Sequence, residues 1–321
     1  LSIEPVHIQS KSELPAAPPG KTGWPWTGES PKLPDSMPNG EPWPKISIVT
    51  PSHNQGEFIE ETIRSVLAQP YPNLEYIIID GGSVDGTVDI IRKYEDNLAY
   101  WVSEGDRGQA NAINKGFEKA TGKIFGWINS DDFYYPRVFE VIARTFVKHA
   151  DIAMVHGYEH QADRNGNIIQ EVFPVFRDAR AVTVYFALPL PQLTCFWTSK
   201  AYRAVGGLDE NLHYHLDYDF FLRLSYRFRS MYVPVCVGVF RRYPDQKSEP
   251  RQRERFIFEQ RRIIENFITQ EEMSGWKRLL LGYWYRGLLF WRLRADPACL
   301  RPFRDRFHCV LGSIHKKSSK Q

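Results

Sequence analysis

The sequence lacks long apolar runs: no stretch approaches 18 uninterrupted apolar residues, so no bilayer-spanning helix is expected. Its first residues also lack the basic, apolar and small-residue succession of a secretory signal, so export by that route is not expected. Cysteine is scarce, with four in 321 residues (Cys195, Cys236, Cys299, Cys309) and no C-x-x-C pair. That excludes a zinc ribbon and a disulfide-stapled scaffold, and points to a reduced, cytoplasmic setting. No G-x-G-x-x-G is present. The nearest approach, Gly81 to Gly86, lacks the third-position glycine and carries Asp85, which would repel a pyrophosphate resting on a helix N-terminus, so a dinucleotide dehydrogenase is disfavoured. Gly20-Lys21-Thr22 resembles the end of a P-loop, but Pro15 stands where the first glycine belongs and no strand precedes it. Nor is there an internal repeat of 20–50 residues. Net charge is small, at +3, yet it is unevenly spread: residues 271–321 hold 11 Lys/Arg against 4 Asp/Glu. A basic tail follows a mildly acidic body.

With 42% hydrophobic and 25% charged residues the composition is that of a folded protein. The length suits two domains, or one large α/β domain with tails. Ten of the 22 prolines precede Lys45, a density incompatible with a helix or central strand, so residues 1–44 are read as an extended arm. Trp24, Trp26 and Trp43 suggest an arm laid against the body, the alternative being a partly ordered linker. From Lys45 the texture changes to apolar strands alternating with helical periodicity: strands at 46–49, 75–79, 99–102 and 124–128, with helices through Phe58 to Leu67, Val88 to Ile91 and Ala112 to Phe117. This predicts an α/β fold with a mostly parallel central sheet flanked by helices. After Val155 antiparallel strands are expected, then a helix over 217–228, a strand over 231–240 and amphipathic helices from Arg251.

In parallel sheets ligands bind beyond the carboxyl ends of the strands, where the polar clusters stand: Thr50 to Asn54, Asp80 to Ser83, Asp106 to Gln109 and Asn129 to Asp132. Asp131-Asp132 directly follows an apolar strand. Two adjacent carboxylates there suit a divalent cation bridging a diphosphate, or simply a turn and helix N-cap. Asp80 and Asp106 at neighbouring strand ends favour the ligand reading. Asp217 precedes a helix with Phe220, Phe221, Leu224 and Phe228 at helical spacing, and taken alone reads equally as N-cap or as functional carboxylate.

The run from Lys45 to about Ser248 resembles glycosyltransferase family 2. The resemblance is carried by Ile48-Val49-Thr50-Pro51-Ser52-His53-Asn54-Gln55, by Asp80-Gly81-Gly82-Ser83-Val84-Asp85-Gly86-Thr87 and by Asp106-Arg107-Gly108-Gln109. Asn129-Ser130-Asp131-Asp132, Gln192, Gly206-Gly207-Leu208-Asp209, Asp217-Tyr218-Asp219 and the segment from Arg241 through Lys247 to Ser248 continue it. The resemblance implies a GT-A fold, with a nucleotide-binding half over 45–132, an acceptor-side half over 133–248 and a basic amphipathic helical extension over 249–321. It implies inverting transfer of a sugar from a nucleoside-diphosphate sugar, a UDP-sugar being favoured, to a glycan or lipid-linked acceptor in polysaccharide biosynthesis at the cell envelope. Thr50, Pro51, Ser52, Asn54, Asp80, Asp106, Gln109 and Asp131 would then bind the donor nucleotide, and Asp132 would hold Mn2+ or Mg2+. Arg242, Tyr243 and Lys247 would lie beside the phosphates, Asp217 would be the general base, and Gln192, Trp197 and Asp219 would lie toward the acceptor. An apolar core strand accounts for Phe196 equally well, and Asp219 could instead support an arginine.

The sequence departs from the family pattern at three places. Asn129 replaces a frequent carboxylate, Leu216 the glutamate before the base, and Tyr243 a histidine near the phosphates. His213 and His215 are either substitutes for that histidine or part of an exposed loop. The tail, with Trp276, Leu279, Leu280, Tyr283, Trp284, Leu288 and Trp291 among arginines, suits peripheral contact with an anionic membrane at its inner face, or packing on the body. The alternative function is a catalytically inactive nucleotide-sugar-binding partner at a membrane. Nucleic-acid binding is not expected, because the basic residues sit in a tail rather than on a recognition fold.

Overall fold

The computed structural model describes residues 13–28, 30–174, 190–244, 246–247 and 253–270. The tail tryptophans, Cys299 and Cys309 lie outside these described residues. The chain divides into two compact units, the first comprising 1–183 with 187–263 and the second 184–186 with 264–321. Of the second, the described residues are 264–270, the end of one helix. All that follows concerns the first.

Four strands and three helices open the fold in alternation: β1 (Ile46–Ser52), α1 (Ile59–Leu67), β2 (Leu74–Asp80), α2 (Thr87–Lys93), β3 (Tyr100–Ser103), α3 (Gln109–Lys119) and β4 (Ile124–Trp127). The short β5 (Phe133–Tyr134), α4 (Val138–Lys148), β6 (Met154–Ala162), β7 (Ile168–Val172), β8 (Cys195–Thr198) and α5 (Ser199–Val205) come next. The element series closes with α6 (Leu216–Arg227), β9 (Ser230–Arg241) and α7 (Arg253–Gln270). The strands form one sheet in the order β3-β2-β1-β4-β8-β6-β9-β5, with β7 paired to β6. Strands β3, β2, β1 and β4 are mutually parallel, as the apolar runs predict. Beyond them β8 runs antiparallel to both β4 and β6, whereas β9 is parallel to β6, so the second half is mixed rather than antiparallel throughout.

Every residue of β1 and β4 is buried, because helices cover both faces. Gly116 lets α3 approach β1, since a Cβ there would lie 2.4 Å from Val49 Cγ1. β1 runs three residues past its β-branched core into Pro51 and Ser52, because β2 stays in register with it as far as Asp80. The loops after β1, β2, β3 and β4 are thereby gathered at one end of the sheet. Among the described residues no helix is long and apolar enough to cross a membrane.

The described part of the proline-rich arm is packed on this body and belongs to the same unit. Trp43 is 2% exposed, and Trp24 Nε1 donates to the Tyr134 carbonyl at 2.7 Å. The main fastening is Arg64 of α1, 4% exposed, whose guanidinium donates to the carbonyls of Pro15 at 2.8 Å and Trp26 at 2.8 Å and to the Tyr94 hydroxyl at 3.0 Å. Prolines leave carbonyls without neighbouring N–H partners, and one buried arginine collects them. Arg64→Ala leaves these acceptors unpaired, so equilibrium denaturation is expected to show a loss on the order of 3 kcal/mol. A change below about 0.5 kcal/mol would mean the arm is not held by this residue.

Candidate active site

The gathered loops border a cavity of about 640 Å³. Of the residues read from the sequence, Pro51, Ser52, Asp106, Gln109, Asp131, Gln192, Asp217, Tyr243 and Lys247 line it. They come from sequence positions nearly 200 apart, brought together because strand ends converge at one edge.

The remaining candidates are placed elsewhere, each for an identifiable reason. Thr50 is buried with its hydroxyl 2.9 Å from that of Tyr76. Asp80, also buried, spends its carboxylate on its own loop, accepting from Ser83 N at 2.9 Å, Ser83 Oγ at 2.5 Å and Ser103 Oγ at 2.6 Å. Asn54, in the left-handed region at φ 52°, donates its N–H to Ser83 Oγ and accepts from Val84 N at 2.9 Å. These three shape the loops bordering the cavity from behind. Trp197, expected toward the acceptor, is 0% exposed and packs edge-on between Trp127 and Phe220, a core residue of β8. Asp219 is paired with Arg223 at 2.7 Å, and Arg223 in turn donates to the carbonyls of Val205 and Gly207. It supports an arginine rather than facing the cavity. Arg242, the first residue past β9, is exposed, whereas Arg241 at the end of that strand is buried.

Arg241, the neighbour that sequence reasoning passed over, is the buried one at 2% exposure. Its guanidinium lies 4.8 Å from the Phe58 ring and 5.6 Å from Phe133, pairs with Glu61 at 2.9 Å and donates to the Asp131 carbonyl at 3.3 Å. Its backbone N–H donates to Asp132 Oδ1 at 2.9 Å. Asp132 is therefore turned inward, 1% exposed, while Asp131 presents its carboxylate to the cavity and accepts from Tyr243 Oη at 2.8 Å. Burial raises the pKa of Asp131, opposed by the Tyr243 hydrogen bond and by Arg241. Burial and the charge of Asp131 push Asp132 well above the usual carboxylate range. No local pattern separates Arg241 from Arg242, since burial along β9 does not alternate and the strand ends at Arg241.

Across the cavity runs a chain of hydrogen bonds. Lys247 Nζ donates to Gln109 Oε1 at 2.9 Å, Gln109 Nε2 to Asn129 Oδ1 at 2.8 Å, Asn129 Nδ2 to Gln192 Oε1 at 3.2 Å, and Gln192 Nε2 to the Trp127 carbonyl at 2.9 Å. A carboxylate at 129 could not donate to Gln192, so the amide there is matched to its neighbours. Opposite stands Asp217 in the first turn of α6, its pKa raised by burial and opposed by the charges of His215 and Lys247. His215 is buried and lines the cavity with Phe256 of α7, so the loop before α6 is not simply exposed.

Among the described residues no group of three or more His, Cys, Asp or Glu could hold a metal ion by itself. A hard divalent cation bound alongside substrate phosphates needs few protein carboxylates and keeps water ligands, and the Asp131 carboxylate facing the cavity fits that mode. Behind it Glu159 is buried and its carboxyl is pushed up to about 8 by desolvation. Folded protein thus holds that proton over a pH range, from about 4.5 to 8, in which unfolded chain has released it, and stability falls as pH rises through that window. Glu159→Gln is expected to flatten the fall, raising stability relative to wild type more at pH 8 than at pH 5, by up to roughly 4 kcal/mol in chemical denaturation. Parallel pH profiles for the two proteins would refute it.

Residues 47–205 match the family described as Glycosyl transferase family 2. An uncharacterized glycosyltransferase of Rickettsia typhi is 32% identical over 192 residues, covering 57% of this chain and 60% of that protein, so the chain spans about three-fifths of such relatives. Chondroitin synthase of Escherichia coli is 28% identical over 186 residues, covering 57% of this chain and 26% of the synthase. Among solved structures, S. aureus TarS 1-349 in complex with UDP-GlcNAc superposes with a TM-score of 0.62 at 16% identity, covering 75% of this chain and 71% of that one. A mannosyltransferase from Pyrobaculum calidifontis in complex with GDP-Man and Mn2+ gives 0.56 at 17%, covering 87% and 88%. At such identities the likeness establishes the fold alone, which is GT-A, with its parallel β3-β2-β1-β4 half.

Proposed function

The chain belongs to glycosyltransferase family 2, and from that premise we propose that it transfers a sugar, with inversion, from a nucleoside-diphosphate sugar to a hydroxyl of a glycan or lipid-linked saccharide. The observation that carries this reading is the convergence on one cavity of Asp131, Lys247 and Asp217: an anion that can share a cation with a diphosphate, a cation of its own, and a second buried carboxylate. UDP-GlcNAc and GDP-Man in the two structural neighbours support a nucleoside-diphosphate sugar as donor, and the likeness to a polysaccharide synthase supports a growing glycan as acceptor.

An inverting transfer is a single displacement. Asp217 takes the proton of the acceptor hydroxyl as its oxygen bonds to the anomeric carbon, and the bond from that carbon to the diphosphate oxygen breaks. A pKa raised by burial makes Asp217 a better base, provided the pH is high enough to ionise it, so the acid limb of activity is expected above the usual carboxylate range. Mn2+ or Mg2+, when bound, would stabilise the charge on the departing diphosphate. The residue to hold it is Asp131 in preference to Asp132, since Asp132 faces inward onto Arg241 N–H. Lys247 adds a positive charge at the same side, and Tyr243 orients Asp131. Pro51, Ser52 and Asp106 border the nucleotide, with Asp80, Thr50 and Asn54 shaping their loops. Gln192 lies between the donor side and the acceptor side through its bonds to Asn129 and Trp127. A peripheral membrane role for the basic tail and a cytoplasmic location stand as parts of this proposal.

Calorimetric binding of UDP, GDP, CDP and dTDP, with and without Mn2+, tests the donor side. One nucleotide is expected to bind in a metal-dependent way, and Asp131→Ala to abolish that dependence while Asp132→Ala acts chiefly on stability. Asp217→Asn is expected to bind donor within about threefold of wild type while transfer falls by about 10²–10⁴. Wild type that binds donor but neither transfers nor hydrolyses it would return the catalytically inactive binding partner.

A further inference from the structure

Helix α7 lies beyond the family-matched segment, yet two of its residues grip the loop that leads into α6. Glu259 places its carboxylate on three consecutive backbone amides, accepting from His213 N at 2.6 Å, Tyr214 N at 2.7 Å and His215 N at 2.8 Å. The His215 Nδ1 is 3.4 Å from the same carboxylate. One turn earlier, Phe256 meets the His215 ring at a centroid distance of 4.0 Å and that of Tyr214 at 6.0 Å.

Three successive N–H groups pointing at one spot form a concave anion site, and this one sits at the amino end of a helix whose dipole adds to the attraction. Burial opposes ionisation of Glu259, but the donors around it outweigh burial and lower its pKa to about 2, so the carboxylate is charged throughout the working range. An ionised carboxylate satisfied by three amides is costly to displace. The last clasped amide belongs to His215, two positions before Asp217.

We propose that Glu259 is a positioning residue for the reaction: by clasping residues 213–215 it sets the orientation in which α6 presents Asp217 to the cavity. Rather than touching substrate, Glu259 acts through the loop. The proposal rests on Asp217 serving as the base. It adds that a residue outside the segment carrying the family motifs determines how well that base is aimed. Displacing a catalytic group by about 1 Å can cost on the order of 10²-fold in rate.

The test uses the full chain and whichever of UDP-GlcNAc, UDP-glucose, UDP-galactose and GDP-Man releases its nucleoside diphosphate fastest, with water as acceptor. Glu259→Ala is expected to lower kcat by about ten- to a hundredfold with donor KM changed less than about threefold, and Glu259→Gln, which keeps one acceptor oxygen, to recover part of the loss. Lys247, which faces Asp217 and Glu259 and is bonded to Gln109, has its pKa lowered by desolvation and held up by those two carboxylates. Removing the charge at 259 lowers it further, so the alkaline limb of the pH profile should move to lower pH in both variants. Amide exchange of 213–218 should quicken in Glu259→Ala while that of 124–132 does not change. Wild-type kcat in Glu259→Ala, beside an inactive Asp217→Asn, overturns the positioning role and leaves the base reading intact. A kcat loss matched by equal loss of nucleotide binding and an unmoved pH profile overturns it as well, assigning Glu259 to folding alone. Full activity in Asp217→Asn, or no release from any donor, removes the base reading on which the proposal stands.

Discussion

The constraint on which the site depends is the cost of keeping Asp131 and Asp132 side by side at a buried sheet edge. Two adjacent carboxylates removed from water repel one another and lose hydration, and unassisted they would take up protons. The protein offsets this unequally. Asp132 is given the Arg241 N–H and remains strongly disposed to hold a proton, whereas Asp131 is given a phenol hydroxyl and access to the cavity. The pair is thereby divided into a member turned inward and a member that lines the cavity. Arg241 is central to that division, since its side chain reaches the Asp131 carbonyl and Glu61 while its backbone holds Asp132.

Around this pair the rest of the site is built from parts that cannot act alone. Lys247 reaches Gln109, which reaches Asn129, Gln192 and the carbonyl of Trp127, so a substitution anywhere along the chain changes donor and acceptor pairing for its neighbours. Asn129, read from sequence as a missing carboxylate, gains a reason here: its amide both accepts and donates. On the far side Asp217 depends on α6, whose entry loop is held by α7. The loops on one side of the cavity come from one continuous parallel stretch of chain, but the groups opposite them come from α6, β9 and α7.

How much of this was legible in sequence follows from the range of the interactions involved. The parallel half of the sheet was readable because uninterrupted apolar strands and helical periodicity are local signals, and the polar residues at strand ends marked the functional edge. The parallel pairing of β9 with β6 was not readable, since nothing in either strand specifies a partner some 75 residues away. Trp197 illustrates the same limit: an aromatic residue on a short strand is equally suited to a core or a sugar-binding face, and only its neighbours Trp127 and Phe220 show that it is core.

By itself the sequence determined the α/β class, the edge where chemistry gathers, the family and most of the residue types that border the cavity, because each is encoded in short-range pattern and spacing. The tertiary structure decided which member of each neighbouring pair faces inward: Asp131 into the cavity and Asp132 behind it, Arg241 buried and Arg242 exposed. It also brought Glu259 onto the entry of α6. Those choices depend on partners more than 40 residues distant in the chain, and a side chain's direction is set only when the strands and helices that contact it have packed.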